Sequence, residues 1–220
     1  MKNLASTIDH TLLAPQAGRE DVIRLCREAA EHGFYAVCVN SRFVPLARKQ
    51  LDNTPVKIAC VVGFPLGASA TEVKVCETVY ACREGAREVD MVLSIGALKE
   101  GADDQVLHDI AAVVDAAEAF GSIVKVILET CLLTDEEIVR ACRLSEQAGA
   151  AFVKTSTGFS TGGASARHVA LMRKSVGPGV RVKASGGIRD RKTAEEMLAA
   201  GADRIGASAG IAICKEEAAE

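Results

Sequence analysis

Ala148-Gly149-Ala150-Ala151-Phe152-Val153-Lys154-Thr155-Ser156-Thr157-Gly158 is the stretch on which the reading of this chain turns. Gly149 sits where a helix should end, because glycine tolerates the left-handed closing turn. The apolar run after it reads as a buried strand that stops on a lysine and opens into hydroxyls and glycine. The same unit recurs at His32-Gly33-Phe34 before Ala36–Val39, and at Glu84-Gly85-Ala86 before residues 88–93. It returns at Phe120-Gly121-Ser122 before residues 123–128, and at Ala200-Gly201-Ala202 before residues 204–206. Repeated helix–glycine–strand units predict βα alternation and a parallel sheet.

Three further strands complete the pattern: residues 56–62, 181–184 and a short one at Thr7-Ile8-Asp9-His10-Thr11. Between the strands lie amphipathic helices. Val22, Ile23, Cys26, Ala29 and Ala30 make the apolar face of the first long one, and Val106, Ile110, Val113, Val114 and Ala117 that of a helix opening at Asp103 and Asp104. Thr134-Asp135-Glu136-Glu137 has the form of a capping box. Eight strands, each with a helix, predict one α/β domain over residues 1–220: a (β/α)8 TIM barrel with a short segment before the first long helix. An open doubly wound sheet is the alternative, but no G-x-G-x-x-G fingerprint supports it.

Composition sets further bounds. The 220 residues are 49% hydrophobic and only 4% aromatic, without Trp, so the core must be built from Ala, Val, Ile and Leu. A net charge of −3 leaves no basic footprint for nucleic acid. No apolar run is long enough to span a bilayer, and Met1-Lys2-Asn3-Leu4-Ala5-Ser6 lacks the apolar core of a signal peptide. The eight cysteines are scattered without a C-x-x-C pair, which favours small core residues in a reducing cytoplasm over disulfides or zinc. Cys38, on the second strand, is read first as a buried core thiol; the alternative places it near the barrel mouth, where reactive aldehydes would modify it.

A barrel of this kind carries its active site at the C-terminal ends of its strands. Asp9, Asp90, Lys125, Lys154 and Lys183 all fall within or at the end of apolar strands, where desolvation makes a lone charge costly. Lys57 begins its strand, away from that mouth, and is read as a surface residue. Three lysines and two aspartates facing one cavity leave one surplus positive charge, so a lysine that sheds its proton makes the cluster neutral and easier to bury. An ordinary lysine titrates near ~10.4 and is charged at neutral pH. A second ammonium ~4 Å away contributes about 4 kcal/mol against that charge at an effective dielectric of ~20, and burial adds to it. The result is an amine nucleophile, suited to Schiff-base chemistry.

The loops suggest the other half of a site. Ser185-Gly186-Gly187 follows the seventh strand and Gly206-Ala207-Ser208 the eighth. Loops at these places are the usual phosphate cradle of the fold, because glycine lets backbone N–H groups approach an anion. Gly158 adds a further N–H.

Val153-Lys154-Thr155-Ser156-Thr157-Gly158-Phe159, Val182-Lys183-Ala184-Ser185-Gly186-Gly187-Ile188-Arg189 and Arg204-Ile205-Gly206-Ala207-Ser208 together resemble the deoxyribose-phosphate aldolases. The segments around Asp9, Asp90 and Lys125 fall where that family carries similar ones, so the likeness runs through nearly the whole chain. It implies a class I aldolase that reversibly cleaves 2-deoxy-D-ribose 5-phosphate to acetaldehyde and D-glyceraldehyde 3-phosphate, with neither metal nor cofactor, in the cytoplasm and as a homodimer or homotetramer. Lys154 would form the Schiff base, and Lys183 would be the ammonium that lowers its pKa. Asp90 would carry protons through a water, and Lys125 and Asp9 would hold the network. Phosphate would rest on Gly158, Gly186, Gly187, Gly206 and Ser208. Ala209 stands where some members have a second Ser, and the tail Glu216-Glu217-Ala218-Ala219-Glu220 has no Tyr, with which some members end. Competing readings are another phosphosugar barrel enzyme, an aldolase or an isomerase, and a barrel that binds a phosphate ligand without turning it over.

Overall fold

The computed structural model describes residues 4–215; the acidic tail singled out above lies outside them. A 3₁₀ turn over Leu4–Thr7 leads into β1 (Ile8–Leu12), followed by α1 (Arg19–His32) and β2 (Ala36–Val39). Next come α2 (Val44–Gln50), β3 (Lys57–Val62), α3 (Thr71–Glu84) and β4 (Glu88–Val92). The chain continues through α4 (Ile95–Lys99), α5 (Asp103–Glu118), β5 (Ile123–Ile127), α6 (Asp135–Gln147) and β6 (Phe152–Lys154). It closes with α7 (Ala166–Ser175), β7 (Arg181–Ser185), α8 (Arg191–Ala199), β8 (Arg204–Ala207) and α9 (Gly210–Cys214). The strands pair in chain order, all parallel, and β8 pairs back onto β1. The fold is the expected closed eight-stranded barrel with its helices outside.

The local signals act as anticipated. Gly33, Gly85, Gly121, Gly149 and Gly201 all take positive φ at the helix-to-strand turns. Thr134 caps α6 reciprocally with Glu137. The apolar face of α5 is buried as read, whereas α1 is rotated slightly from its expected face: Leu25 is buried and Ala30 is exposed. The rotation follows from a 3.6-residue period that keeps Val22, Leu25, Cys26 and Ala29 on one stripe.

Register decides what fills the barrel. Side chains stack in layers of four, drawn from alternate strands. The register places Ala36, Glu88, Phe152 and Arg204 lowest, then Asp9, Ala59, Lys125 and Lys183, then Cys38, Asp90, Lys154 and Gly206. Thr11, Val61, Ile127 and Ser185 form the layer nearest the mouth. An ordinary barrel would fill such layers with branched aliphatic residues, and here the middle two are mostly charged. The hydrophobic core lies instead between the barrel wall and the helices, where Val37, Val89, Val126, Val153, Val182 and Ile205 are fully buried. One charged pair enters that shell: Lys74 donates to Asp109 Oδ2 at 2.6 Å and to the Val92 carbonyl at 3.1 Å, tying α3 and α5 to the end of β4.

Candidate active site

Asp9, Asp90, Lys125, Lys154 and Lys183 meet inside the barrel, each 3% exposed or less. Period-two alternation along β4 and β8 brings two more ionic groups to the same interior, Glu88 two residues before Asp90 and Arg204 two before Gly206. Arg204 donates from Nε to Asp9 Oδ1 at 2.9 Å and from Nη2 to Glu88 Oε2 at 3.1 Å. Its guanidinium also stacks 3.5 Å from the Tyr35 ring centroid. Lys125 Nζ donates to Asp90 Oδ1 at 2.6 Å and lies 2.6 Å from Glu88 Oε2. Lys183 Nζ donates to Asp9 Oδ2 and, at 2.8 Å, to Asp90 Oδ2. Lys154 Nζ donates to Asp90 Oδ2 at 2.7 Å, its one carboxylate partner among the described residues.

The charge count therefore widens without changing its remainder. Four cations face three carboxylates, and one positive charge is still in surplus. Position decides which cation gives way. Lys125, Lys183 and Arg204 each bridge at least two carboxylates, whereas Lys154 shares a single oxygen that Lys183 also occupies. Burial, opposed by Asp90 and reinforced by the Lys183 ammonium, holds the Lys154 amine below the usual lysine range. Burial presses the same way on Lys183 and Lys125, but there Asp9, Asp90 and Glu88 outweigh it and both are raised. Burial leads the effect on Lys154, ahead of the neighbouring ammonium that the charge argument put first, because the whole cluster is enclosed within the barrel. Asp90 is held well below the carboxylate range: burial opposes this, and Lys125, Lys154 and Lys183 overcome it. Asp9 lies at about 2 for the same reason, with Lys183 and Arg204 as its main counterions.

Above the cluster opens a cavity of about 510 Å³ at the C-terminal ends of the strands. Lys154 is the one lysine of the cluster that lines it, and Gly158, Gly186, Gly187, Gly206 and Ser208 all border it. Two glycines here have specific reasons. A Cβ on Gly163 would lie 2.2 Å from the Gly186 carbonyl oxygen, so the loops after β6 and β7 lie backbone to backbone, joined by the Ala164 N–H to Gly186 O bond at 3.0 Å. A Cβ on Gly206 would lie 3.0 Å from Lys183 Cε, so this position leaves room for the lysine stem as well as for any anion above it. Cys38 is fully buried in the layer of Asp90 and Lys154, and burial pushes its thiol pKa up, which favours the core-thiol reading. Lys57 is exposed at the base of the barrel, as expected. Ala209 begins the turn into α9 beside Ser208.

Sequence reasoning passed over Glu88, Arg204, Thr157 and Glu129. The first two were open to it through strand alternation. Glu129 was not, because its position depends on a left-handed turn after β5, with φ 57° and ψ 61°, a conformation that costs a side-chain-bearing residue of order 1 kcal/mol or more. Thr157 lines the cavity and donates its hydroxyl to Glu129.

The profile of the DeoC/LacD family aldolases matches residues 4–216. A deoxyribose-phosphate aldolase of Bacillus cereus (strain AH187) is 58% identical, over 98% of this chain and 96% of its own. One from Alkaliphilus oremlandii is 57% identical over the same shares. The solved structure of deoxyribose phosphate aldolase from Aeropyrum pernix superposes with a TM-score of 0.90 at 37% identity, covering 96% of this chain and 89% of that one.

Proposed function

Since the chain belongs to the DeoC/LacD family of aldolases, we propose that it reversibly cleaves 2-deoxy-D-ribose 5-phosphate to acetaldehyde and D-glyceraldehyde 3-phosphate, with Lys154 as the Schiff-base nucleophile. One observation carries the assignment of Lys154: it alone among the buried lysines of the cluster both borders the cavity and has its pKa lowered.

The steps follow from where charge is held. The free amine of Lys154 attacks C1 of the open-chain sugar, and loss of water from the carbinolamine leaves an iminium. Asp90, ionised in the resting site because three lysines surround it, takes up the C3 hydroxyl proton through a water and holds it until the enamine is protonated. The C2–C3 electron pair moves into the iminium, which becomes an enamine as glyceraldehyde 3-phosphate departs. Protonation of the enamine at C2 and hydrolysis free acetaldehyde and return the amine. Burial and the Lys183 ammonium together favour the neutral form of the Lys154 amine, while Lys125 and Asp9 fix the carboxylate and the ammonium in place. Gly158, Gly186, Gly187, Gly206 and Ser208 would hold the phosphate, which supplies orientation rather than chemistry.

The proposal extends to residues 1–220 as one barrel domain working in the cytoplasm as a homodimer or homotetramer. The Aeropyrum pernix relative is described as tetrameric, and among the described residues no helix is long and apolar enough to cross a membrane. Borohydride reduction in the presence of 2-deoxyribose 5-phosphate, followed by peptide mass mapping, tests the central claim. A reduced adduct on the peptide carrying Lys154 is expected; an adduct on Lys183 or Lys125, or none, would reject it.

A further inference from the structure

Glu129 is 2% exposed, and among the described residues no basic side chain lies within ion-pair distance of it. Its carboxylate faces the loop that follows the proposed nucleophile. It accepts the Thr157 N–H at 3.3 and 3.4 Å on its two oxygens, and the Thr157 hydroxyl on Oε2. Cys131 Sγ lies 3.8 Å from Oε1. The left-handed backbone of Glu129 turns the carboxylate toward that loop.

The consequence falls on Thr157, which lines the cavity three residues beyond Lys154. A hydroxyl has one proton and two lone pairs. The proton of Thr157 is directed to Glu129, and one lone pair accepts the Phe159 N–H at 3.0 Å. What remains is one lone pair. Without the carboxylate, the hydroxyl could rotate and serve as donor or acceptor.

We propose that Glu129 is a positioning residue that locks Thr157 as a hydrogen-bond acceptor, so that the cavity selects substrates carrying a hydroxyl beside the carbon that becomes the acceptor aldehyde. This rests on the functional reading above, in which that hydroxyl is the one on C2 of glyceraldehyde 3-phosphate. A carbonyl or ether at that place would meet lone pair against lone pair, and a methylene would leave the acceptor unpaired.

The test measures synthesis from acetaldehyde with two acceptors, glyceraldehyde 3-phosphate and 3-oxopropyl phosphate, which lacks only that hydroxyl. The readout is the ratio of their kcat/KM values. Glu129→Met, which keeps the side-chain length but removes both acceptor oxygens, is expected to lower the ratio about tenfold. Thr157→Val, which leaves the left-handed turn alone, should lower it similarly; Thr157→Ser should restore it, and the double variant should fall no further than either single one. A purely structural role would depress both acceptors equally and leave the ratio unchanged, which would overturn the inference. Failure of the wild-type protein to use either acceptor would sink the functional reading, and this inference with it.

Discussion

Lys154 and Lys183 donate to the same oxygen, Asp90 Oδ2, at 2.7 and 2.8 Å. Two ammonium groups cannot share one acceptor at that range without strong mutual repulsion. Lys183 has a second carboxylate, Asp9, to hold its proton, and among the described residues Lys154 has none. The asymmetry suits one nitrogen to the proposed role of nucleophile and the other to that of a fixed cation.

Replacing Lys154 with Arg keeps a cation against Asp90 but removes the amine that can form an imine. Turnover should fall on the order of 10⁴-fold or more, as it does when covalent nucleophiles are lost. Borohydride should no longer trap substrate, and circular dichroism should show an intact barrel. Retained trapping in Lys154→Arg would point to another lysine.

Lys183→Met removes a like charge beside Lys154 and frees Asp90 Oδ2 for it alone. Both changes raise the Lys154 pKa. Because the attacking form is the free amine, the acid limb of kcat/KM should move to higher pH by about 1–2 units. A profile unchanged in position, with only its height reduced, would show that Lys183 does not set the protonation of Lys154.

Acid stability follows from Asp9. Its folded pKa of about 2 lies below the unfolded value of ~3.9. The stability it contributes is therefore complete above ~4 and is lost as pH falls through 2. Asp90, held well below the carboxylate range in the same sense, adds to that loss. Urea midpoints measured from pH 5 downward should fall across this window. Asp9→Asn should flatten the fall and destabilise the protein by roughly 3–5 kcal/mol at neutral pH, since Arg204 and Lys183 are left with less counter-charge.

Gly206→Ala tests whether that glycine serves the lysine or the phosphate. The added methyl would press on Lys183 Cε and on Ser185 Cβ, which lies 2.9 Å from it. We expect kcat to drop for both phosphorylated and unphosphorylated 2-deoxyribose, because the ammonium is displaced. Ser208→Ala, at the exposed rim, should raise KM for the phosphorylated sugar alone. Matching effects from the two substitutions would mean that Gly206 belongs only to the cradle.

The chain order of helices, closing glycines and strands, and with it the barrel, was legible in the residues, because helix caps, left-handed turns and apolar periodicity are set by near neighbours. Asp9, Asp90 and the three lysines also stood out, since a charge inside an apolar strand is visible without coordinates. The tertiary structure alone decided how those charges divide. Register around the closed sheet puts Glu88 and Arg204 beneath them, gives Lys183 two carboxylates and leaves Lys154 sharing one, and a left-handed residue after β5 carries Glu129 to Thr157. Such partnerships join strands distant in sequence, and the energy of a buried charge depends on which partners surround it, so only the closed barrel could assign them.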